Sequence, residues 1–238
     1  MHKSKLIAMI PARIGSQRLK FKNFALVNGK PLISYAIKNS IKSKIFDKIV
    51  LNSDSELFKS ISKEYKVDFY LRNKKLGGPL VRSDDVVFDF LNKYHNYDYL
   101  FWINPISPLI DKYDIINSYQ HLYETKSDSM ITTDERGVHT MFNKRNINFK
   151  KNKKFDLTQD LEPISLFNYS IMAWNVKKFL YSFKRKKYAF FCGKFTTFPL
   201  AQNKSLIVKT ASDLHLIESI IKNKKNLKVK YHRLIKFK

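Results

Sequence analysis

Between Ala12 and Asn23 the chain reads ARIGSQRLKFKN, with Arg13, Arg18, Lys20 and Lys22 around Gly15 and Ser16. A loop of this kind, following a strand, can wrap phosphate oxygens with backbone N–H groups while its side chains offset their charge. It matches neither of two common phosphate patterns. A Walker A loop ends in Lys-Ser or Lys-Thr after its glycines, and a dinucleotide fingerprint needs three spaced glycines. An ordinary solvated basic loop fits the same residues, so the chemistry depends on what lies beside it. Two shorter polar stretches, at 53–55 and 104–108, also follow apolar runs. In an open parallel sheet, ligands bind beyond the carboxyl ends of the strands, which makes these three loops the candidate site.

The elements that must position them follow from hydrophobic period. Residues 5–11 (KLIAMIP) read as a buried strand. Pro31 suits a first helical position, and Leu32, Ala36, Ile37 and Ile41 share one helical face. Strand patterns follow at 48–52, 67–71, 99–103 and 128–132, separated by helical patterns at 55–65, from 83 onward with Ser83 or Asp84 as N-cap, and at 114–124. This alternation predicts an α/β fold, with a mainly parallel sheet flanked by helices on both faces. Residues 134–165 are rich in Lys and Asn and break the rhythm, which predicts an inserted arm. Beyond it come a strand at 169–175, a short helix at 176–183, an edge strand at 195–199 and a helix at 212–222 opened by Ser212 or Asp213. The basic stretch that closes the chain is expected to be peripheral. No linker interrupts residues 1–238, so one domain is expected.

Composition narrows the classes. No apolar run approaches the roughly 20 residues that span a bilayer. The run at 6–12 follows Lys3 and Lys5, as in a signal peptide, but leads into a charged loop and not a small-residue cleavage site. The single cysteine, Cys192, cannot form an intrachain disulfide, which favours a cytoplasmic setting. A net charge of +25 invites a polyanion partner, yet 37 of the 45 basic residues are Lys, whereas bidentate readers favour Arg. Aromatics interleave with cations in YSFKRKKYAFF, but no nucleic-acid module accompanies them, so a nucleic-acid partner is not expected. The six histidines lack zinc-site spacing, and no Gly-x-Ser-x-Gly elbow is present. Asp84 and Asp85 are read as structural, facing a helix dipole.

The stretch IPARIGSQRLKFKNFALVNGKPLISYAI resembles the opening of the CMP-sugar synthetases, the acylneuraminate cytidylyltransferase family. VLNSDSE and WINPISPL resemble that family's second and fourth strand loops, at matching spacing. The resemblance implies a single-domain, Rossmann-like nucleotidyltransferase with a small dimerisation arm. It further implies CTP and an acidic 2-keto sugar as substrates, CMP transfer with release of pyrophosphate, magnesium (Mg2+) as cofactor, and a homodimer. By the same resemblance Arg13, Gly15, Ser16, Lys22 and Asn23 bind the nucleotide, with Arg13 and Lys22 catalytic. Arg72 and Ser83 hold the cytidine end. Asn104, where the family usually has Gln, joins Ser107 and Asn168 at the sugar. Sialic, legionaminic and pseudaminic acids and Kdo all remain open as acceptors.

The chain also departs from that family. Where relatives carry two metal-binding aspartates before the last helix, this sequence has Ile207 and Lys209, leaving Asp213 as a weak candidate ligand. Where relatives tend to place a Lys and an Arg in the insertion, it has His139 and Thr158. Three readings follow from the missing carboxylates. Magnesium arrives chelated by CTP and is held by residues such as Asp54 or Asp213; Lys209 replaces the ion's charge; or the chain is a catalytically degenerate nucleotide- or sugar-binding paralogue.

Overall fold

Alternation in the first strand sets the architecture. In β1 (Leu6–Ala12), Leu6, Ala8, Ile10 and Ala12 pack into one hydrophobic cluster while Ile7 and Met9 pack into another. A strand apolar on both faces must be covered on both, and the helices divide accordingly. The computed structural model describes residues 4–223. The basic tail from 224 onward lies outside the described residues.

After β1 the chain forms a short ladder, β2 (Leu26–Val27) and β3 (Lys30–Pro31), then α1 (Leu32–Ser43), β4 (Lys48–Ser53), α2 (Phe58–Glu64) and β5 (Asp68–Leu71). Next come α3 (Ser83–Lys93), β6 (Tyr99–Ile103), α4 (Lys112–Glu124) and β7 (Ser129–Arg136). The arm carries β8 (Met141–Phe142) and β9 (Arg145–Asn146), and β10 (Ile164–Asn175), α5 (Val176–Lys186), β11 (Phe195–Leu200) and α6 (Ala211–Asn223) follow it. The main sheet has the order β11-β7-β10-β6-β1-β4-β5. Ile33, Ile37, Phe58, Ile115 and Leu122 of α1, α2 and α4 cover one face. Val87, Phe90, Phe179 and Phe183 of α3 and α5 cover the other. Each fully buried Phe contributes about 2–3 kcal/mol of burial energy.

Several boundaries differ from the sequence reading for local reasons. Pro31 is the N-cap of α1, not its first helical residue. Arg82 caps α3 without a side-chain hydrogen bond, so neither Ser83 nor Asp84 is the cap. Asp84 and Asp85 stand in the first turn of α3, as the structural reading expected, and Asp84 also accepts the N–H groups of Ala189 and Phe190, tying the loop after α5 to the start of α3. Thr210 and Asp213 form a reciprocal box at the start of α6: Asp213 Oδ2 accepts the Thr210 N–H at 2.7 Å, and Thr210 Oγ1 accepts the Asp213 N–H at 3.3 Å. The helix therefore begins one residue before Ser212.

The arm proper is shorter than 134–165, because β7 runs on to Arg136 and β10 starts at Ile164. Joined by this hairpin-like connection and not by a helix, β7 and β10 pair antiparallel. β10 also runs antiparallel to β6, whereas the other neighbouring pairs of the main sheet are parallel. The register slips between Phe167 and Met172, where Tyr169 takes φ 59°, a left-handed conformation uncommon for a bulky residue. Asn168, 6% exposed, holds this bulge: its Oδ1 accepts from Ser170 N at 3.0 Å and Thr132 Oγ1 at 2.5 Å, and its Nδ2 donates to Ser205 Oγ at 3.2 Å.

Substituting Asn168→Ala leaves the buried Ser170 N–H without its acceptor and removes the bonds to Thr132 and Ser205, so urea denaturation is expected to show a loss of about 1–3 kcal/mol. Unchanged stability would mean that the bulge is held by the strands alone.

Candidate functional site

The strand numbering reverses direction between β1 and β6, and a cleft of about 290 Å³ opens beyond their carboxyl ends. Pro11, Arg13, Ser16, Arg18, Lys22 and Asn23 form one wall. Arg72, Arg82, Ser83 and Val86 face them, and Trp102, Asn104, Pro105 and Ile106 complete the lining. Arg13, Ser16, Lys22, Asn23, Arg72, Ser83 and Asn104 are thus brought together as the sequence reading required.

One buried carboxylate organises the nucleotide-loop side. Asp54, 7% exposed, accepts the Ile14 N–H at 3.0 Å and lies 3.9 Å from Arg72 Nη2. Gly77 passes so close that a Cβ there would lie 1.9 Å from Asp54 Oδ2, so only glycine fits. Arg72, 5% exposed, donates from Nη1 to the Asn52 carbonyl at 3.0 Å and to the Asn52 side-chain oxygen, while Nε has no partner. Burial pulls its pKa down, and the charges of Asp54 and Asp89 oppose that fall. Arg13 reaches across to the Gly78 carbonyl at 3.4 Å.

Lys22 is the electrostatic centre. It opens a short 3-10 turn (Lys22–Phe24) entered through Phe21 at φ 50°, and its Nζ donates to the Val208 carbonyl at 3.1 Å. Burial, then the nearby charges of Arg18 and Arg13, lower its pKa to about 8, with Lys209 adding to the fall and Asp213 opposing it. Asn23 is buried, with its Oδ1 unpartnered. At the opposite wall Asn104 donates its Nδ2 to the Tyr169 carbonyl at 3.1 Å and its N–H to the Ser170 carbonyl at 3.0 Å.

The other expected residues lie off the cleft lining. Gly15 is exposed at the crest of the loop, between Ile14 and Ser16, whose backbones bond at 3.0 Å. Ser107 is 1% exposed and its N–H bonds the Asn104 carbonyl at 3.2 Å, so it braces the loop from behind. Asn168 is committed to the bulge. His139 stacks on Phe155 with ring centroids 3.9 Å apart, inside the arm. Trp102, Arg82 and Val86 were missed by sequence reading; strand alternation in YLFWI was the available signal for Trp102, which faces the side opposite Phe101 and Ile103.

The donor set does not fit a protein-held divalent ion. Among the described residues no three His, Cys, Asp or Glu side chains gather where they could share one. Asp213 Oδ2 already accepts from Lys209 N, Thr210 N and the Thr210 hydroxyl at 2.7–2.9 Å. Burial opposes its ionisation, but these bonds together hold its pKa below the usual carboxylate value. Ile207 and Lys209 beside it offer no oxygen ligands from their side chains.

A doubly wound sheet with a cationic cleft at its switch point defines an α/β protein with a candidate anion site. The family model for cytidylyltransferases matches residues 7–188, and the chain belongs to that family. It is 30% identical over 222 residues to an N-acylneuraminate cytidylyltransferase of Streptococcus agalactiae serotype V, covering 90% of this chain and 52% of the relative. It is 35% identical over 123 residues to the enzyme of that name from Escherichia coli O18:K1:H7, covering 52% of this chain and 29% of the relative. The chain thus spans about half or less of the length of these relatives. In fold it superposes on a CMP:2-keto-3-deoxy-manno-octonic acid synthetase complexed with CTP, with TM-score 0.69, 13% identity, and coverage of 93% of this chain and 100% of the other.

Because the Lys22 amine of the free protein loses its proton above about 8, anion binding must recharge it. CTP affinity is expected to fall as pH rises through that value, and Lys22→Arg to flatten the profile. Since the unfolded chain keeps this proton up to its ordinary 10.5, the free protein gains stability from this group between about 8 and 10.5. A pH-independent affinity in the wild type would show that Lys22 does not meet the phosphates.

Proposed function

We propose that the chain transfers CMP from CTP to the anomeric hydroxyl of a 2-keto sugar acid of the sialic, legionaminic or pseudaminic type, releasing pyrophosphate. The carrying observation is the convergence of Arg13, Arg18 and Lys22 with Arg72 and Ser83 in one cleft at the β1/β6 switch. In this reading the 12–23 loop, with Arg13, Gly15, Ser16, Lys22 and Asn23, borders the triphosphate. Arg72 and Ser83 hold the cytidine end, and Asn104 faces the acceptor. Ser107 and Asn168 act as positioning residues, since they brace the Asn104 loop and the Ser170 carbonyl that it bonds.

The acceptor oxygen bonds the α-phosphorus, the bond from that phosphorus to pyrophosphate breaks, and the hydroxyl proton passes to solvent at the open mouth. Negative charge spreads over the phosphoryl group and the leaving pyrophosphate, where Arg13 and Lys22 offset it. Two copies are proposed to pair through the arm, whose Phe142, Ile147, Phe155 and Leu157 are 57–76% exposed. A cytoplasmic site is supported by the free Cys192 and by the nucleotide substrate. Among the described residues no helix is long and apolar enough to cross a membrane.

Among the described residues no carboxylate set for a metal gathers, which favours a second reading, a binding protein of the same family without turnover. Pyrophosphate release from CTP with magnesium and a panel of keto sugar acids tests both. The transferase reading expects release with one acid class and a loss of kcat of about 10²–10³ in Arg13→Ala or Lys22→Ala. CTP binding without release for any acid supports the second reading; no CTP binding refutes both.

A further inference from the structure

The segment before α6 is fixed against the cleft at two points. Val208 is fully buried with Val27, Leu32 and Ile217, its N–H bonds the Ile106 carbonyl at 2.8 Å, and its carbonyl takes the Lys22 ammonium at 3.1 Å. Lys209, the next residue, is exposed and close enough for its charge to act on Lys22. Arg13, Arg18 and Lys22 line this end of the cleft, and the Val208 carbonyl that takes Lys22 anchors the adjoining Lys209–Asp213 turn beside it. The Asp213 Oδ2 is occupied by Lys209 N–H, Thr210 N–H and the Thr210 hydroxyl.

Such an inventory is arranged for an anion and against a cation. Magnesium demands about six oxygens in near-octahedral order, and its charge would add to a cluster that is already positive. A polyphosphate has the opposite effect, because each oxygen it brings relieves repulsion among side chains whose charge Asp213 offsets only in part. Burial first, and then the charges of Arg18 and Arg13, depress the Lys22 pKa against the opposing charge of Asp213.

We propose that this cleft takes the polyphosphate of CTP as the metal-free anion, with Lys209 an anion-contacting residue beside Lys22. The proposal rests on the cytidylyl-transfer reading for the identity of the ligand. It assigns to Lys209 a charge role in binding.

The test is calorimetric titration of the whole chain with CTP, in EDTA and in excess magnesium, for the wild type, Lys209→Ala, Lys209→Asp and the surface control Lys126→Ala. Lys209 is exposed, so these variants keep the fold, which circular dichroism checks. Wild-type affinity in EDTA is expected to equal or exceed that in magnesium. Lys209→Ala should weaken metal-free binding about threefold to tenfold, and Lys126→Ala less than about twofold. Lys209→Asp should weaken it further and make it recover on adding magnesium. The proposal is overturned if magnesium tightens wild-type binding about tenfold or more, or if both Lys209 variants bind as the wild type. CTP binding that depends on magnesium sinks only this inference, whereas no CTP binding in either buffer sinks the transferase reading with it.

Discussion

The parallel pairing of β1 with both β4 and β6 is the constraint from which the rest follows. Right-handed crossovers that leave a central strand toward opposite edges place their helices on opposite faces. α1 therefore covers one side of the sheet and α3 the other. The loops after β1 and β6 diverge at the carboxyl end, and the gap between them is the cleft. The apolar alternation of β1 is thus a functional feature. A polar residue on either of its faces would expose the sheet that holds the 12–23 and 104–108 loops apart.

Charge is distributed unevenly around that gap. Asp54 sits buried behind the nucleotide loop, where it accepts a backbone N–H, offsets Arg72 and leaves room for Gly77 only because that residue has no side chain. The cations that face the opening lack such a partner. The protein carries the repulsion among Arg13, Arg18 and Lys22 in its free state. Charges fixed in place in this way are the electrostatic form of preorganisation.

On the far side the bulge in β10 performs mechanical work of a different kind. Asn168 holds four residues out of register, and the carbonyls of Tyr169 and Ser170 then reach Asn104. A residue expected at the sugar is here buried and hydrogen-bonded within the bulge. The distinction turns on burial and on hydrogen-bond partners 36 and 37 residues away in sequence.

The period of apolar residues and the grouping of cations between Ala12 and Asn23 were sufficient to establish a mainly parallel α/β sheet, its strand positions and the cationic loop that lines the cleft, because those features are local. The reversal of β10 was not legible, since strand direction depends on whether a helix or a hairpin makes the connection, and the 137–163 segment has neither strong period. Cap positions shifted by a residue or two because several side chains able to cap lay side by side. Asp213, Ser107 and Asn168 carried the right chemistry for a site in sequence. Only the tertiary structure decided that backbone N–H groups and hydroxyls had already claimed Asp213 and Asn168 and that Ser107 lies buried, since a hydrogen bond spends an oxygen and burial removes a group from reach, whatever the one-dimensional pattern allows.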